Sequence, residues 1–274
     1  LCTYPSSKGQ EALFVAAAHA LSKDDIYIPY YRDQGALLTR GVAIDDMIAY
    51  WAGHNINISN PNTQDHPYCV PIATQTTHAV GAAYALAYHN KNAVVVCSIG
   101  DGATSKGDFY EAINFACVHK LPIIFNINVN QWAISTPLHQ QTCDLSKKLS
   151  GFSCIQKKID ASNPLNVYHN MQQVRKDVIK LKTPAYILNH TQRLCAHTAT
   201  DDFGKYHDIN KLQQLIQNHD PVKMYQQKLE QEIDIAILKQ QTQQAKEAVA
   251  QAIVKFKTKL QQQQYTAAGD IYAK

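Results

Sequence analysis

Residues 93–102 read AVVVCSIGDG, an unbroken apolar run that ends in a Gly-Asp-Gly turn. The run is bounded by polar and glycine positions, which is typical of a strand buried on both faces of a parallel sheet. Beyond the turn, apolar residues recur at helical spacing, namely Phe109, Ala112, Ile113, Ala116 and Cys117. Pro122 then precedes a second apolar run at residues 123–127. This order of strand, helix and strand predicts a βαβ unit with parallel strands and a right-handed crossover.

The neighbouring segments extend the same pattern. Residues 78–87 are rich in small side chains and predict a helix packed closely on the sheet, and residues 184–188 predict a further strand. Residues 55–68 and 136–148 are polar and predict loops longer than a simple connection needs, so we expect a gating or partner-contact role there. The predicted fold is α/β, a doubly wound, mainly parallel sheet with helices on both faces.

The C-terminal part of the chain differs in composition and is predicted to be helical. Asp220-Pro221 is typical of a helix start, because proline is favoured at the first helical position. One face of a later helix carries an apolar stripe, formed by Ala245, Val249, Ala252, Phe256 and Leu260. We expect this helix to cover either the same domain or another subunit. The predicted organisation is an α/β domain over residues 1–215 and a helical extension of it over residues 216–274.

The overall composition excludes several classes of protein. With 26 basic and 22 acidic residues, the chain gives no reason to expect nucleic acid or an anionic membrane as a partner. A mean hydropathy of −0.31, without any apolar stretch near ~20 residues, argues against a membrane-spanning protein. Seven cysteines without a CxxC pair indicate reduced thiols and a cytoplasmic location, or the mitochondrial matrix in a eukaryote. No secretory signal pattern follows Leu1, and we expect further sequence upstream of it.

Polar residues follow both strands of the predicted βαβ unit. The turn Gly100-Asp101-Gly102 follows the first strand, and Asn130 comes just after the second. Because the carboxyl ends of parallel strands share one sheet edge, Asp101 and Asn130 are predicted to lie side by side. A carboxylate and an amide oxygen suit Mg²⁺ shared with a phosphate, and the glycines let backbone N–H groups approach a diphosphate. A Gly-Asp-Gly sequence alone is more often ordinary turn chemistry.

Residues 100–135 read GDGATSKGDFYEAINFACVHKLPIIFNINVNQWAIS. This stretch closely resembles the thiamine-diphosphate motif of the alpha subunit of the decarboxylating component of 2-oxo acid dehydrogenase complexes, and above all its pyruvate dehydrogenase members. Further segments of the family occur in the same order and at similar spacing: TYPSSKGQEA (3–12), YYRDQGALLTRG (30–41), PIATQTTHAVGAAYALA (71–87), AISTP (133–137), TQRLCAHTATDD (191–202) and IYAK (271–274). The resemblance covers nearly the whole chain and implies a thiamine-diphosphate-binding fold in residues 1–215.

The resemblance implies a set of cofactor-binding residues around the Gly-Asp-Gly turn. Asp101 and Asn130 would ligate Mg²⁺ through their side chains, and Trp132 would do so through its backbone oxygen. Gly102 and Ala103 would offer backbone contacts to the diphosphate of thiamine diphosphate.

Other positions match the family away from that turn. Tyr31 and Arg32 match a Tyr-Arg pair that grips the diphosphate, for which a guanidinium is a good bidentate partner. Val70 and Ile72 fall where backbone groups meet the aminopyrimidine ring of the cofactor. These positions complete the cofactor-binding set that the resemblance implies.

Arg193 and His197 match an arginine and a histidine that flank the cofactor entrance in the family. The resemblance implies a catalytic role for both residues, and a cofactor contact for His197. An isolated histidine in a chain with 12 of them is more often a surface or core group, so this assignment depends on the surrounding motif.

The chain also departs from the family pattern. A paired asparagine in the family is here Val129, which leaves the presumed metal ligand Asn130 in place. Gln34 stands where many members have histidine, Cys195 where glycine is common, and Phe203 where proline is common. These differences concern the tuning of the site and the choice of substrate more than cofactor binding.

The resemblance implies an enzyme that works with partners. We expect oxidative decarboxylation of a small 2-oxo acid, pyruvate first, with acyl transfer to a lipoyl group on an acyltransferase component. The glutamate that activates the aminopyrimidine is not found here, and the resemblance puts it on a beta subunit within an α₂β₂ heterotetramer. Alternatives are a branched-chain 2-oxo acid or acetoin complex, and a scaffold of the same fold without activity. A nucleotide-binding dehydrogenase is disfavoured, because no GxGxxG follows any predicted strand.

Overall fold

The computed structural model describes residues 3–56, 58–262, 264 and 266–267. Within these ranges the strands are β1 (Ile26–Ile28), β2 (His54–Asn55), β3 (Val95–Gly100), β4 (Ile123–Val129), β5 (Trp132–Ala133), β6 (Thr136–Pro137), β7 (Ile155–Asp160), β8 (Ala185–His190) and β9 (Thr266–Ala267). The α-helices are α1 (Glu11–His19), α2 (Gln34–Thr39), α3 (Ile44–Trp51), α4 (Thr74–Tyr88), α5 (Gly107–His119), α6 (Leu138–Gln141), α7 (Leu145–Leu149), α8 (Pro164–Leu181), α9 (Ile209–His219), α10 (Pro221–Leu229) and α11 (Ile235–Gln261). The IYAK segment that resembles the family lies outside the described residues.

The central sheet contains the predicted βαβ unit. Its five strands lie in the order β1-β3-β4-β8-β7, and every neighbouring pair is parallel. β3 and β4 are aligned so that Gly100 lies opposite Asn128, and helix α5 connects them. The strand ends that precede Asp101 and Asn130 therefore meet at one edge of the sheet.

Helices cover both faces of this sheet, as the sequence predicts. Along β3 the side chains alternate between two apolar cores, because successive strand residues point to opposite faces. Val95 and Cys97 lie in one core with residues of α4 and α5, whereas Val94 and Val96 lie in the other with residues of α1 and α8. This arrangement confirms the doubly wound α/β fold.

The segment 136–148 is not the plain loop that its polar composition predicts. It contains β6, all of α6 and the first part of α7. Asp144 caps α7 by accepting hydrogen bonds from the backbone N–H groups of Ser146 and Lys147, at 3.0 and 3.2 Å. These helices are too short to show an apolar period in the sequence. Residues 55–68, in contrast, carry neither helix nor strand beyond Asn55 over the residues described there.

The predicted amphipathic helix is α11, and it packs on α3. Lys255 and Lys259 donate from Nζ to the two carboxylate oxygens of the buried Asp45, at 3.0 and 2.6 Å. Of the predicted stripe, Ala252 is buried and Val249 remains 47% exposed. The helix therefore covers part of its own domain and leaves much of its apolar face open.

The structure confirms the predicted helix start near residue 220. Asp220 starts α10 as predicted, since its Oδ1 accepts from the backbone N–H groups of Val222 and Lys223 at 3.1 and 3.2 Å. Helix α9 runs across residue 215, and the division at that residue stays a prediction.

Among the described helices, none combines the length and apolar character needed to cross a membrane.

Candidate functional site

A cavity of about 440 Å³ lies at the carboxyl ends of β3 and β4. The residues that the resemblance implies for the cofactor all line it: Tyr31, Arg32, Val70, Ile72, Asp101, Gly102, Ala103, Asn130, Trp132 and His197. Arg193 does not line the cavity and lies behind its wall. The volume of the cavity falls in the range of ordinary small-molecule sites, ~300–1,000 Å³.

Asp101 and Asn130 reach the cavity from successive strand ends. The Asp101 carboxylate accepts hydrogen bonds from the backbone N–H groups of Gly102 and Gln131, each at 2.9 Å, so it joins the two loops. Oδ1 of Asn130 accepts from the backbone N–H of Trp132 at 3.1 Å. Burial raises the pKa of Asp101 to about 7, against the opposing effect of the two hydrogen bonds. A cation bound here would stabilise the charged carboxylate.

The possible metal ligands around Asp101 and Asn130 are of different chemical types. Within the described part of the chain, there is no group of three or more His, Cys, Asp or Glu side chains suited to a metal. A metal between Asp101 and Asn130 would therefore use one carboxylate, one amide oxygen and backbone oxygens. Such a set of hard oxygen donors suits Mg²⁺ that also binds phosphate.

The hairpin of β5 and β6 closes one side of the cavity and approaches Gly102 very closely. A Cβ on Gly102 would lie 2.8 Å from Cβ of Ala133, so a side chain there would displace the hairpin. Gln131 and Ile134 flank β5 with φ of 74° and 56°, in the left-handed region. Such backbone costs about 1–3 kcal/mol per non-glycine residue and concentrates at functional sites.

Arg32 is a buried cation at the cavity wall. Its Nη1 donates to the carbonyl oxygens of Ser6 and His197 at 2.5 and 3.2 Å, and its Nε has no partner in the described part of the chain. Across the described residues, no carboxylate forms an ion pair with this guanidinium, although its side chain is 1% exposed. A buried guanidinium without a carboxylate is costly, and an anionic ligand would offset that cost.

Arg193 holds the hairpin and the following loop together. Its Nη2 donates to the carbonyl oxygen of Ile134 at 2.7 Å and to the hydroxyl of Tyr206 at 2.9 Å. The guanidinium carbon lies 5.2 Å from the ring centre of Phe203 and 6.0 Å from that of Trp132, which is cation–π distance. Arg193 therefore supports the wall of the cavity from behind.

His197 has two guanidinium neighbours that determine its protonation. Its Nδ1 lies 3.1 Å from Nη2 of Arg32 and 3.5 Å from Nη1 of Arg193. Because guanidinium nitrogens only donate, Nδ1 must accept, and the neutral ring carries its proton on Nε2. Burial, followed by the charges of Arg32 and Arg193, lowers the pKa of His197 to about 4. The backbone N–H of His197 donates to Asp201 at 2.7 Å, which fixes the loop.

Comparison with protein families matches residues 1–265 to the family described as dehydrogenase E1 component. The chain belongs to this family. The resemblance to alpha subunits of 2-oxo acid dehydrogenases is thereby confirmed at the level of the family.

Curated relatives of this E1 chain are named either as branched-chain 2-oxo acid dehydrogenase or as pyruvate dehydrogenase alpha subunits. The 2-oxoisovalerate dehydrogenase subunit alpha 1, mitochondrial, of Arabidopsis thaliana is 32% identical over 239 residues, which are 83% of this chain and 51% of the relative. The 3-methyl-2-oxobutanoate dehydrogenase subunit alpha of Mycobacterium tuberculosis is 38% identical over 210 residues, 75% of this chain and 57% of the relative. The pyruvate dehydrogenase E1 component subunit alpha of Staphylococcus aureus is 34% identical over 214 residues, 74% and 56% of the two chains. The chain spans about half the length of the curated relatives it matches.

The N-terminal segment of this E1 chain also builds the site, although the sequence assigned no single residue there. Pro5 lines the cavity, and its carbonyl oxygen accepts from Nε2 of Gln34 at 2.9 Å. The carbonyl oxygen of Tyr4 accepts from the backbone N–H of Ala199 at 3.0 Å. Gly9 has φ of 89°, and a Cβ there would lie 2.2 Å from the Gln192 carbonyl oxygen. The segment therefore lies between the residues before α2 and the loop that carries His197.

Gln75 and Trp51 are among the other lining residues that the sequence did not assign to the site. Gln75 donates from Nε2 to the carbonyl oxygen of Ser98 at 3.0 Å, and its buried Oε1 has no partner among the residues that the structure describes. Gln75 lies in residues 71–87, one of the segments that resemble the family, and this position could have marked it as a site residue. Trp51 lines the cavity from the end of α3, and no local sequence signal distinguishes it from a core tryptophan.

Proposed function

We propose that this E1 chain is the thiamine-diphosphate-binding alpha subunit of a 2-oxo acid dehydrogenase complex. One observation carries the proposal: the cavity brings together the buried carboxyl of Asp101 and the buried guanidinium of Arg32, which has no ion-pair partner among the described residues. A metal-bound diphosphate would complement both groups, because a carboxylate favours a cation and a guanidinium favours phosphate oxygens.

The residues present fit such a cofactor. The absence of a side chain at Gly102 lets the hairpin pack directly against the turn, so that both contribute to the cavity wall. The buried Nε of Arg32 is a donor without a partner among the described residues, and a bound cation would offset the burial that raises the pKa of Asp101. A diphosphate with its metal would satisfy both Arg32 and Asp101.

In this proposal the residues divide by the part of the cofactor that they bind. Asp101, Asn130 and the backbone oxygen of Trp132 would hold Mg²⁺, while Gly102 and Ala103 would contact the diphosphate. Tyr31 and Arg32 would grip the same diphosphate, and Val70 and Ile72 would meet the aminopyrimidine.

Thiamine diphosphate, when bound, supplies the nucleophilic carbon and the electron sink that decarboxylation of a 2-oxo acid needs. The chain's own contribution is to bind, orient and handle protons. Neutral His197 lines the cavity with a proton on Nε2, so it can donate a hydrogen bond to a substrate oxygen or a phosphate. Arg193 would act by holding His197 and the hairpin in place rather than by touching the reacting atoms.

The substrate we propose first is pyruvate, with acyl transfer to a lipoyl group of an acyltransferase component. The branched-chain acid 3-methyl-2-oxobutanoate is a second candidate, because relatives at 32% and 38% identity carry names of that activity. Both acids carry the same 2-oxo carboxylate and differ in the size of their side chain.

A beta subunit is part of the proposal. Val70 and Ile72 line the cavity, yet they remain 47% and 46% exposed, so its mouth presents apolar surface. The cavity lining includes no glutamate within the described residues, and the proposed chemistry requires one to activate the aminopyrimidine. A partner that covers this mouth and supplies a glutamate would complete the site, in an α₂β₂ assembly with two equivalent sites.

The decisive experiment measures cofactor binding and turnover with the co-purified alpha and beta chains. Thiamine diphosphate should bind tightly only with Mg²⁺, and the pair should decarboxylate pyruvate faster than 3-methyl-2-oxobutanoate. The reverse preference would replace the first substrate by the second. Absence of any Mg²⁺-dependent cofactor binding would contradict the proposed function as a whole.

A further inference from the structure

We propose that Gln10 is a positioning residue that fixes the amide of Asn130 with its oxygen toward the cavity. This inference rests on the proposed function, because only that function gives Oδ1 of Asn130 a metal ion to bind. It concerns a residue that touches neither the cavity nor the proposed cofactor.

Gln10 is fully buried directly before α1 and contacts Asn130 across the fold. Its Oε1 accepts a hydrogen bond from Nδ2 of Asn130 at 2.8 Å and a second from Nδ2 of Asn128 at 2.6 Å. Because Nδ2 of Asn130 is engaged with Gln10, its Oδ1 is the atom left for the loop and the cavity. A cation requires that oxygen, since an amide nitrogen carries hydrogens and does not ligate Mg²⁺.

The direction of the Gln10 amide is itself determined by its neighbours. The hydroxyl of Thr191 donates to Oδ1 of Asn128 at 2.5 Å, and Nδ2 of Asn128 donates to the hydroxyl of Tyr30 at 2.9 Å. Because a hydroxyl can either donate or accept, these two bonds alone do not set the direction of the Asn128 amide. The fixed donor is the backbone N–H of Trp132, which requires Oδ1 of Asn130. Nδ2 of Asn130 therefore faces Gln10, and Gln10 presents its Oε1 to Asn130 and to Asn128.

The alternative orientation of Gln10 would set donors against donors. If its amide were turned by 180°, Nε2 would face Nδ2 of both Asn128 and Asn130, and Asn130 would have to turn its nitrogen toward the cavity. In the observed orientation, Nε2 of Gln10 is buried and has no partner among the described residues. An unsatisfied buried donor costs about 1–3 kcal/mol. The two hydrogen bonds that Oε1 accepts from Asn128 and Asn130 offset that cost.

The fold holds Gln10 in place independently of these side chains. Its backbone N–H donates to the carbonyl oxygen of Ser7 at 2.8 Å, and the preceding Gly9 lies against the Gln192 carbonyl oxygen. The approach is too close for any side chain at position 9. The backbone at Gln10 is therefore held by the loop near His197, which limits how far its side chain can shift.

The test compares Gln10→Met, which keeps the shape but removes the acceptor, with Gln10→Glu, which keeps an acceptor oxygen. Both tryptophans of the chain, Trp51 and Trp132, line the cavity, so intrinsic fluorescence reports Mg²⁺ binding at saturating thiamine diphosphate in the alpha–beta complex. Gln10→Met should raise the Kd for Mg²⁺ about tenfold or more, as for other residues that orient metal ligands, whereas Gln10→Glu should stay within about threefold of wild type.

Asn189→Leu is the matched control. Asn189 is a fully buried asparagine of the same sheet whose side chain donates to Oδ1 of Asn126 at 2.8 Å, without contacting Asn130. Its replacement should leave the Kd for Mg²⁺ unchanged. An equal loss of affinity in Asn189→Leu and Gln10→Met would overturn the positioning role, as would wild-type affinity in Gln10→Met.

Thr191→Val provides a second route if Gln10→Met does not fold. It leaves the buried Oδ1 of Asn128 without its hydroxyl donor, so Asn128 holds Gln10 less firmly and the Kd for Mg²⁺ should rise about threefold; an unchanged Kd contradicts the proposal. Failure of the proposed function has a different signature, since the wild-type complex itself would then show no Mg²⁺-dependent fluorescence change.

Discussion

The carboxyl edge of the sheet and the C-terminal helix α11 are stabilised in opposite ways. At the edge, polar groups are buried almost completely: Arg32 and Arg193 are each 1% exposed and Asn130 is 4% exposed. Helix α11 is 27 residues long, yet Ala252 is its one buried residue within the described part of the chain. The edge depends on directed hydrogen bonds over long sequence separations, and α11 depends on a few partly exposed contacts with α3.

This difference separates function from stability. Buried polar groups at the edge cost free energy, so replacing one by a neutral group of the same shape affects ligand binding more than folding. Contacts of α11 do not reach the cavity, so their loss affects stability and association more than ligand binding. The following predictions test that separation, from the largest expected effect to the smallest.

Asp101→Asn should produce the largest effect. Loss of the carboxylate charge should weaken Mg²⁺-dependent cofactor binding by about 100-fold or more, since removing a ligand costs at least as much as removing a residue that orients one. The thermal midpoint should change by less than about 3 °C, measured without cofactor. Asp108→Asn, at an exposed carboxylate on α5, is the control and should bind normally. Normal Mg²⁺ dependence in Asp101→Asn would remove Asp101 from the metal site.

His197→Ala should lower turnover of the alpha–beta complex about tenfold, at the modest end of what a positioned acid–base group contributes. The reason is the loss of the Nε2 proton that the neutral ring presents to the cavity. His89→Ala, at an exposed position after α4, should have wild-type turnover. Steady-state rates with pyruvate measure both, and equal rates would make His197 a structural residue.

Asp45→Ala should destabilise the region of α11 while sparing the site. Asp45 is buried, whereas Lys255 and Lys259 are 58% and 25% exposed, so the loss should fall between surface and buried ion pairs, at about 1–2 kcal/mol. Urea unfolding measures it, with the exposed Asp24→Ala as control. Cofactor affinity should not change. A large loss of affinity in Asp45→Ala would mean that α11 and the site are coupled.

The protonation of His197 predicts a pH dependence of stability at the edge. Its pKa in the folded chain is lowered to about 4, below the value near 6.5 of an unfolded histidine. The unfolded state therefore takes up the proton first, and stability contributed by neutral His197 is lost as pH falls from about 6.5 to 4. Thermal midpoints should fall less steeply over this range in His197→Gln than in wild type. Parallel curves would contradict the lowered pKa.

Val254→Ser should have the smallest effect on the chain itself. Val254 is 64% exposed on α11, so the free energy of unfolding should change by less than about 0.5 kcal/mol. The comparison is Val174→Ser, at a fully buried position in α8, where several kcal/mol should be lost. If Val254→Ser weakens assembly with a beta chain in sedimentation experiments, the open face of α11 is an interface.

Sequence reasoning succeeded where the signal is contiguous. The apolar run before Asp101, the helical period after it and the second run lie within one short stretch, so local periodicity was enough to predict the core of the sheet. The turn and Asn130 follow those strands directly, and parallel topology brings them together. The short helices α6 and α7, with four and five residues, carry no period and were missed.

Contacts over long separations could not be predicted in this way. Gln10 binds Asn128 and Asn130 across 118 and 120 residues, and no local pattern in the sequence indicates such a pairing. Arg193 is not among the residues that line the cavity, and its role at the cofactor entrance stays a prediction, because a motif specifies a neighbourhood and not the side from which a residue approaches. The exposed stripe of α11 was recognised as amphipathic, yet periodicity alone cannot say how much of it is covered.

The position of the N-terminal segment has a consequence for synthesis of the protein. Tyr4, Lys8 and Gln10 are made before most of the fold, yet their hydrogen-bond partners lie in residues 128–199. At translation rates of about 5–20 residues per second, this segment waits about 10–40 s on the ribosome before Ala199 is made. The ligand site therefore closes late, and a chain interrupted between residues 130 and 199 would contain the whole βαβ unit without a finished cavity.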